Sequence, residues 1–176
     1  ADLTPIELDE YSRLDEKSLS YPTQQNHFRP TRIGNLMAAA EEYPLVRYGL
    51  EASVTWPRLW LLLSETTRKE ISEARTAVDD AVRLLLWGAL VAVWTSWAWW
   101  ALAAALVVIL FAYLGMCQAA GVYGELFRSA YDLSRFELYK SLKLELPVKP
   151  DEEEAAGKML TLFLHRGETA GIKAFK

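Results

Sequence analysis

Residues 84–120 read LLLWGALVAVWTSWAWWALAAALVVILFAYLGMCQAA, a run without one Asp, Glu, Lys, Arg or His. Near its middle stands Trp94-Thr95-Ser96-Trp97-Ala98-Trp99-Trp100. A bilayer interior holds too little water to satisfy free backbone groups, so such a run must be helical. About 37 residues at roughly 1.5 Å each make a rod of about 55 Å. The hydrocarbon layer is about 30 Å thick and needs about 20 residues. Two short spans fit that length better than one long one. Indole rings favour the boundary between headgroups and hydrocarbon, and one centred span would hold four tryptophans at mid-membrane. A hairpin sets Trp94, Trp97, Trp99 and Trp100 at its far tip instead. There the Thr95 and Ser96 hydroxyls bond backbone groups freed at the turn. The spans are then about 82–93 and about 101–120. The first is short and must thin the bilayer or borrow from its flanks. The other arrangement open is a single span, 101–120, with an interfacial helix before it.

Charge placement gives an orientation. Arg68, Lys69, Arg75 and Arg83 precede the first span; Arg128, Arg135, Lys140 and Lys143 follow the second; the tip carries no charge. The positive-inside rule places both ends in the cytoplasm and the tryptophan tip outside. A mean hydropathy near zero averages a very apolar third with a polar remainder. The net charge of -4 leaves no basic footprint for nucleic acid. Cys117, the single cysteine, falls in the second span and reads as a small apolar filler. The chain starts at Ala1 rather than Met and has no signal-peptide pattern. It therefore reads as a processed product or a piece of a longer chain, with room for further spans ahead of it.

The spans are predicted to continue as cytoplasmic helices. Ser64 is a good N-cap with Glu65 in the first turn, and Ile71, Ala74, Val78, Ala81 and Val82 keep helical spacing into the first span. Beyond the second span Tyr123, Phe127 and Tyr131 recur at i+4, a stripe that reads as packing. Glu125 with Arg128, Arg128 with Asp132, and Glu137 with Lys140 sit where opposite charges support a helix by a few tenths of a kcal/mol each. This helix should run to about Lys143 and stop before Pro147, making an antiparallel stalk whose residues include Tyr123, Phe127, Tyr131, Arg128 and Asp132. Small residues mark close helix approach: Gly88 with Ala92, Gly115 with Ala119, and Ala120 with Gly124. They serve either self-association or the packing of the two spans on each other.

Four segments emerge. Residues 1–30 are a polar arm, with a short helix suggested near residues 6–14. Residues 31–63 hold short helices. The first, 35–42, is expected to end at Tyr43-Pro44 because the residue before proline is pushed out of helical geometry. The second begins near Trp56-Pro57-Arg58-Leu59-Trp60, with Pro57 in its first turn. Trp56, Arg58 and Trp60 suit a membrane interface or a cap on the stalk. Residues 64–143 are the hairpin and stalk. Residues 144–176 are a linker and an amphipathic helix from Asp151 that Gly167 stops. The fold class predicted is an all-α membrane protein: a transmembrane hairpin continuing into a long antiparallel cytoplasmic helix pair, with short interfacial helices.

Pro30-Thr31-Arg32-Ile33-Gly34-Asn35, then Tyr43-Pro44 with Arg47-Tyr48-Gly49, then Trp56-Pro57-Arg58-Leu59-Trp60 form an ordered series. Tyr123-Gly124-Glu125 and Tyr131-Asp132-Leu133-Ser134-Arg135-Phe136-Glu137-Leu138-Tyr139 complete it. The series resembles a family of uncharacterised bacterial membrane proteins with the patterns PTRxGN, YPxxRYG and WPRLW. The resemblance covers most of the chain after residue 30. It implies a bacterial cytoplasmic membrane protein and brings no activity with it.

Catalytic chemistry has little support. His27 and His165 are solitary, without carboxylates or cysteines at metal-ligand spacing. Glu152-Glu153-Glu154 is a helix start whose side chains point in different directions. Asp79 and Asp80 lie one turn before Arg83 and suit an ion pair. No phosphate loop, nucleophile motif or intramembrane ionisable group occurs. The expectation is a non-enzyme without cofactor or metal: a membrane scaffold or accessory subunit whose partners are the lipid bilayer and other membrane subunits or itself, with no nucleic acid. The alternative is an oligomeric pore or membrane-perturbing effector, gated by dewetting.

Overall fold

The computed structural model describes residue 14 and residues 18–147 and 149–167, apart from the side chains of 150 and 151. The short helix suggested near residues 6–14 lies almost wholly outside them. Among the described residues all regular structure is helical: α1 (Arg32–Tyr48), α2 (Ala52–Leu62), α3 (Glu65–Ala92), α4 (Trp100–Ser141) and α5 (Pro150–Arg166), with 3₁₀ turns at Gln25–His27 and Val93–Ser96.

The helix ends follow local chemistry. Ser64 Oγ accepts from Thr67 N at 3.1 Å, the cap expected for α3, and Thr31 Oγ1 does the same for α1 from Gly34 N at 3.1 Å. Both supply an acceptor to an otherwise orphaned first-turn donor. Gly167 closes α5 in the left-handed region at φ 71°. At the turn between α3 and α4, Thr95 Oγ1 donates to Ala92 O at 2.6 Å and Ser96 Oγ to Val93 O at 3.2 Å.

Two prolines overturn the expected boundaries. α1 does not stop at Tyr43; it carries Pro44 inside and runs to Tyr48. An interior proline costs about 3 kcal/mol in an exposed helix, but Pro44 is among the fully buried side chains, and the packing of its ring helps offset that cost. Pro57 is likewise interior to α2, not in its first turn. The carbonyl it deprives of a donor belongs to Ser53, an exposed residue, where water can bond it.

α4 is long and apolar enough to cross a membrane by length and composition. At roughly 1.5 Å per residue its 42 residues make a rod of about 63 Å. Its two halves differ. In the first, Ala101, Ala105, Ala112, Met116, Cys117 and Ala120 are buried, while Leu102, Leu106, Val107, Leu110, Phe111 and Leu114 are exposed. α3 covers the small-residue face, and a Cβ on Gly88 would meet Ile109 Cγ1 at 2.9 Å and Val108 Cγ1 at 3.1 Å. In the second half α4 carries the main core: Phe127, Tyr131, Leu138 and Tyr139 pack with Tyr48 and Leu50, Leu59 of α2 and Leu160 of α5. A smaller cluster joins Leu63, Ile71 and Ala130.

Candidate functional site

The second half of α4 is where the side chains with chemistry converge. Tyr48 Oη donates to Asp132 Oδ1 at 2.5 Å, and Tyr43 Oη donates to the same carboxylate at 2.9 and 3.1 Å. Helix α1 brings both tyrosines, five residues apart, to the one carboxylate. The Arg135 guanidinium lies 4.4 Å from the centre of the Tyr48 ring. It also donates to the backbone oxygen of Asp132 and to Glu153 Oε1, the latter at 2.5 Å. Arg47 sits 5.7 and 5.8 Å from the Tyr43 and Tyr48 rings. Two cations on aromatic faces and one carboxylate under two phenols thus tie α1, α4 and α5 together. Burial, followed by the hydrogen bond to Asp132, raises the hydroxyl pKa of Tyr43 and Tyr48 above the ordinary tyrosine value. Burial does the same to Tyr131 and pushes Tyr139 up to about 12. These phenols stay neutral at physiological pH: Tyr43 and Tyr48 donate to Asp132, Tyr131 shares a hydrogen bond with Thr55, and the buried Tyr139 hydroxyl has no hydrogen-bond partner among the described residues.

Beside this network runs an aromatic column. The Trp56 ring centre lies 4.3 Å from that of Phe127 and 5.8 Å from that of Tyr131, and Thr55 Oγ1 lies 3.0 Å from Tyr131 Oη. α5 crosses the end of α1 so closely that a Cβ on Gly157 would lie 1.8 Å from Tyr48 O, and one on Gly49 2.1 Å from Glu154 O. Thr161 secures the crossing, donating to Gly49 O at 3.2 Å and accepting from Glu51 N at 3.1 Å.

A third element closes over α1. Glu42, with a side chain only 3 % exposed, accepts from Thr23 N at 2.8 Å and Gln24 N at 3.1 Å and lies 3.6 Å from His27 Nδ1. Asn35 Oδ1 accepts from Arg29 N at 2.7 Å. The segment before α1 is therefore strapped down by two side chains of α1. A cavity of about 610 Å³ opens beside it, lined by His27, Arg29, Glu41, Glu42, Trp56 and Tyr123 among others. Among the described residues no group of three or more His, Cys, Asp and Glu is placed to hold a metal ion.

Of the residues singled out from sequence, the stalk set comes together in part. Phe127 and Tyr131 are core residues, Tyr123 packs against them, and Asp132 is the hub of the network. The expected Arg128–Asp132 pair does not form. Asp132 is taken by the tyrosines, while Arg128 pairs with Glu125 at 2.9 Å and donates to Leu19 O. Glu137 and Lys140 are also unpaired with each other. Asp80 pairs with Arg83 at 3.0 Å, but Asp79 turns to Arg75 at 3.8 Å.

Of the small residues, Gly88, Ala120 and Gly124 are buried contacts, and a Cβ on Gly124 would meet Ala40 Cβ at 3.3 Å. Ala92 and Ala119 are half-buried, and Gly115 faces open space. Trp94, Trp97, Trp99 and Trp100 are all exposed, Trp97 by 88 %. Trp56 packs on Phe127 and Tyr131 of α4. Trp60 leans on Trp56 at 5.6 Å, and exposed Arg58 donates to Val54 O at 2.5 Å.

Tyr43, Arg47, Tyr48, Thr55, Arg135, Glu153 and Gly157 were not singled out as site residues. Gly157 is a lone glycine inside an otherwise helical pattern, a signal it shares with Gly115 and Gly121, which face open space. Comparison with protein-family models, with curated proteins and with solved structures gives no match to this chain.

Proposed function

We propose that this chain is a non-enzymatic membrane anchor and accessory subunit of a bacterial inner membrane, in line with the family its motifs resemble. In this reading α3 and α4 cross the bilayer as a hairpin with both ends cytoplasmic. Helices α1, α2 and α5 clasp the cytoplasmic half of α4 into a module that binds partner subunits or a second copy. The observation that carries the proposal is the division of α4. One uninterrupted helix has an apolar exterior in its first half and the core of a folded module in its second. A helix exposing Leu, Val and Phe over several turns is built for lipid rather than water.

Contacts along the two long helices support the hairpin. Gly88 meets Ile109, Arg75 lies over the Tyr123 ring at 5.8 Å, and Ile71 shares a cluster with Ala130. The numbers fall in one helix as they rise in the other, the pattern of an antiparallel pair. The four exposed tryptophans at the uncharged turn suit the outer interface. The motif-bearing residues Tyr43, Arg47, Tyr48, Asp132 and Arg135 support the module, since they hold its helices in one fixed arrangement.

The test is extraction of the tagged full chain from its native membrane in mild detergent, followed by sizing and mass spectrometry of what accompanies it. A co-purifying subunit or a second copy is the expected result. Free monomer with no companion refutes the reading.

A further inference from the structure

We propose that Arg29 and Arg32 form a binding site for the headgroups of anionic phospholipids at the cytoplasmic face of the bilayer; this rests on the membrane reading above. The argument begins with depth. Helix α1 lies along α4 and runs in the same direction: Leu36 and Ala40 flank Gly124, and Tyr43 and Tyr48 reach Asp132. Arg32 precedes Leu36 by four residues and Ala40 by eight. It is therefore level with residues 120 to 116 of α4, where the charge-free run ends. From Trp100 that point is about 30 Å along the helix at roughly 1.5 Å per residue, one hydrocarbon thickness. The start of α1 thus meets the membrane at headgroup depth, opposite the tryptophan tip.

The second step is charge balance at that level. The guanidinium groups towards that level each have their own carboxylate: Arg83 with Asp80 at 3.0 Å, Arg75 with Asp79 at 3.8 Å and, further along α4, Arg128 with Glu125 at 2.9 Å. Arg29 and Arg32 have no carboxylate within ion-pair distance among the described residues, and both are exposed. Arg29 also borders the cavity lined by Glu41 and Glu42, but Glu42 is engaged by Thr23 N and Gln24 N, and Glu41 is not within ion-pair distance of Arg29. The uncompensated positive charge at headgroup depth is therefore concentrated at these two arginines.

Two further features fit a phosphate. The Arg29 backbone is fixed by Asn35, so its side chain starts from a set position. Phe28 beside it is 50 % exposed, a ring placed for the interface. Guanidinium groups bind phosphate by paired hydrogen bonds as well as by charge. The preferred lipid is one with net negative charge, because a zwitterionic headgroup would bring an ammonium to two arginines.

The test uses the full chain reconstituted in vesicles of phosphatidylcholine alone or mixed with phosphatidylglycerol. Retained lipid is measured by mass spectrometry after mild detergent extraction. The wild type should retain phosphatidylglycerol over phosphatidylcholine by about fivefold for each arginine, the scale of one basic residue at an anionic surface. Arg29→Gln with Arg32→Gln should abolish the preference, Arg29→Lys with Arg32→Lys should keep part of it, and Lys140→Gln with Lys143→Gln should leave it intact. Equal retention by wild type and the glutamine variant overturns the proposal, as does stabilisation by inorganic phosphate equal to that by phosphatidylglycerol. Failure to enter phosphatidylcholine vesicles overturns the membrane reading instead, so the two failures are distinguishable.

Discussion

Replacing Gly157 by alanine sets two effects of known size against each other. In a helix interior alanine is favoured over glycine by about 1 kcal/mol, so propensity alone predicts stabilisation. The structure predicts the reverse. The new Cβ would lie 1.8 Å from Tyr48 O, a backbone atom at the end of α1 that cannot swing aside. Helix α5 would have to retreat by more than an ångström. Overpacking of this kind costs about 1–3 kcal/mol. Retreat also stretches the Thr161 bonds to Gly49 and Glu51 and the Arg135–Glu153 pair. Neutral bonds contribute about 0.5–1.5 kcal/mol and charged ones about 1.5–3, and a partial loss suffices. The net expectation is destabilisation by about 2–4 kcal/mol. Gly121→Ala is the matched control, because nothing lies within 4 Å of its added Cβ. It should be neutral or stabilise by up to about 1 kcal/mol. Equilibrium unfolding of the full chain in mild detergent reads both values, and hydrogen exchange over residues 150–166 locates the effect. If Gly157→Ala is as stable as Gly121→Ala, the α1–α5 crossing described here is wrong.

Other perturbations probe the same arrangement. Asp132→Asn should lower stability by about 2–4 kcal/mol, since two tyrosine hydroxyls lose a charged acceptor. A double-mutant cycle with Tyr48→Phe should give a coupling above about 1 kcal/mol, and additivity would contradict the 2.5 Å bond. Glu42→Ala should release the segment before α1, read as faster amide exchange at Thr23 and Gln24; unchanged protection there would count against the strap. Alkaline pH should weaken the fold. Tyr139 has a folded pKa of about 12 against 10.0 unfolded, so its contribution is complete below pH 10 and is lost as pH rises towards 12, by at most about 1.4 kcal/mol per unit. Burial of Tyr48 and Tyr131 shifts in the same direction. Unfolding midpoints flat across that window would refute this.

Local signals in the sequence were sound where the chain decides for itself. Ser64 caps α3, Gly167 stops α5, and the Tyr123, Phe127 and Tyr131 stripe packs as its spacing implies. They failed where distant parts of the chain intervene. Pro44 reads as a helix stop, yet the core it enters outweighs the local rule. Trp56 beside Arg58 has the composition of a membrane collar, and its ring packs on Phe127 and Tyr131, more than seventy residues on. Asp132 and Arg128 have ideal helical spacing, but Tyr43 and Tyr48 lie 89 and 84 residues away and offer a better arrangement. No periodicity encodes such a meeting.

The same separations fix an order of events during synthesis. Helices α1 and α2 are complete before any of α3 or α4 exists, yet the side chains that cover Tyr48, Leu50 and Leu59 come from α4 and α5. At about 5–20 residues per second, the 84 residues between Tyr48 and Asp132 take roughly 4–17 s to emerge. Through that interval the first part of the module waits with its apolar face uncovered while α3 and most of α4 are made. The module is a clasp whose two halves flank the long apolar run in the chain, and it can fasten only after that run has been made. A ribosome stalled before α4 would therefore leave a sticky fragment, not a smaller folded domain.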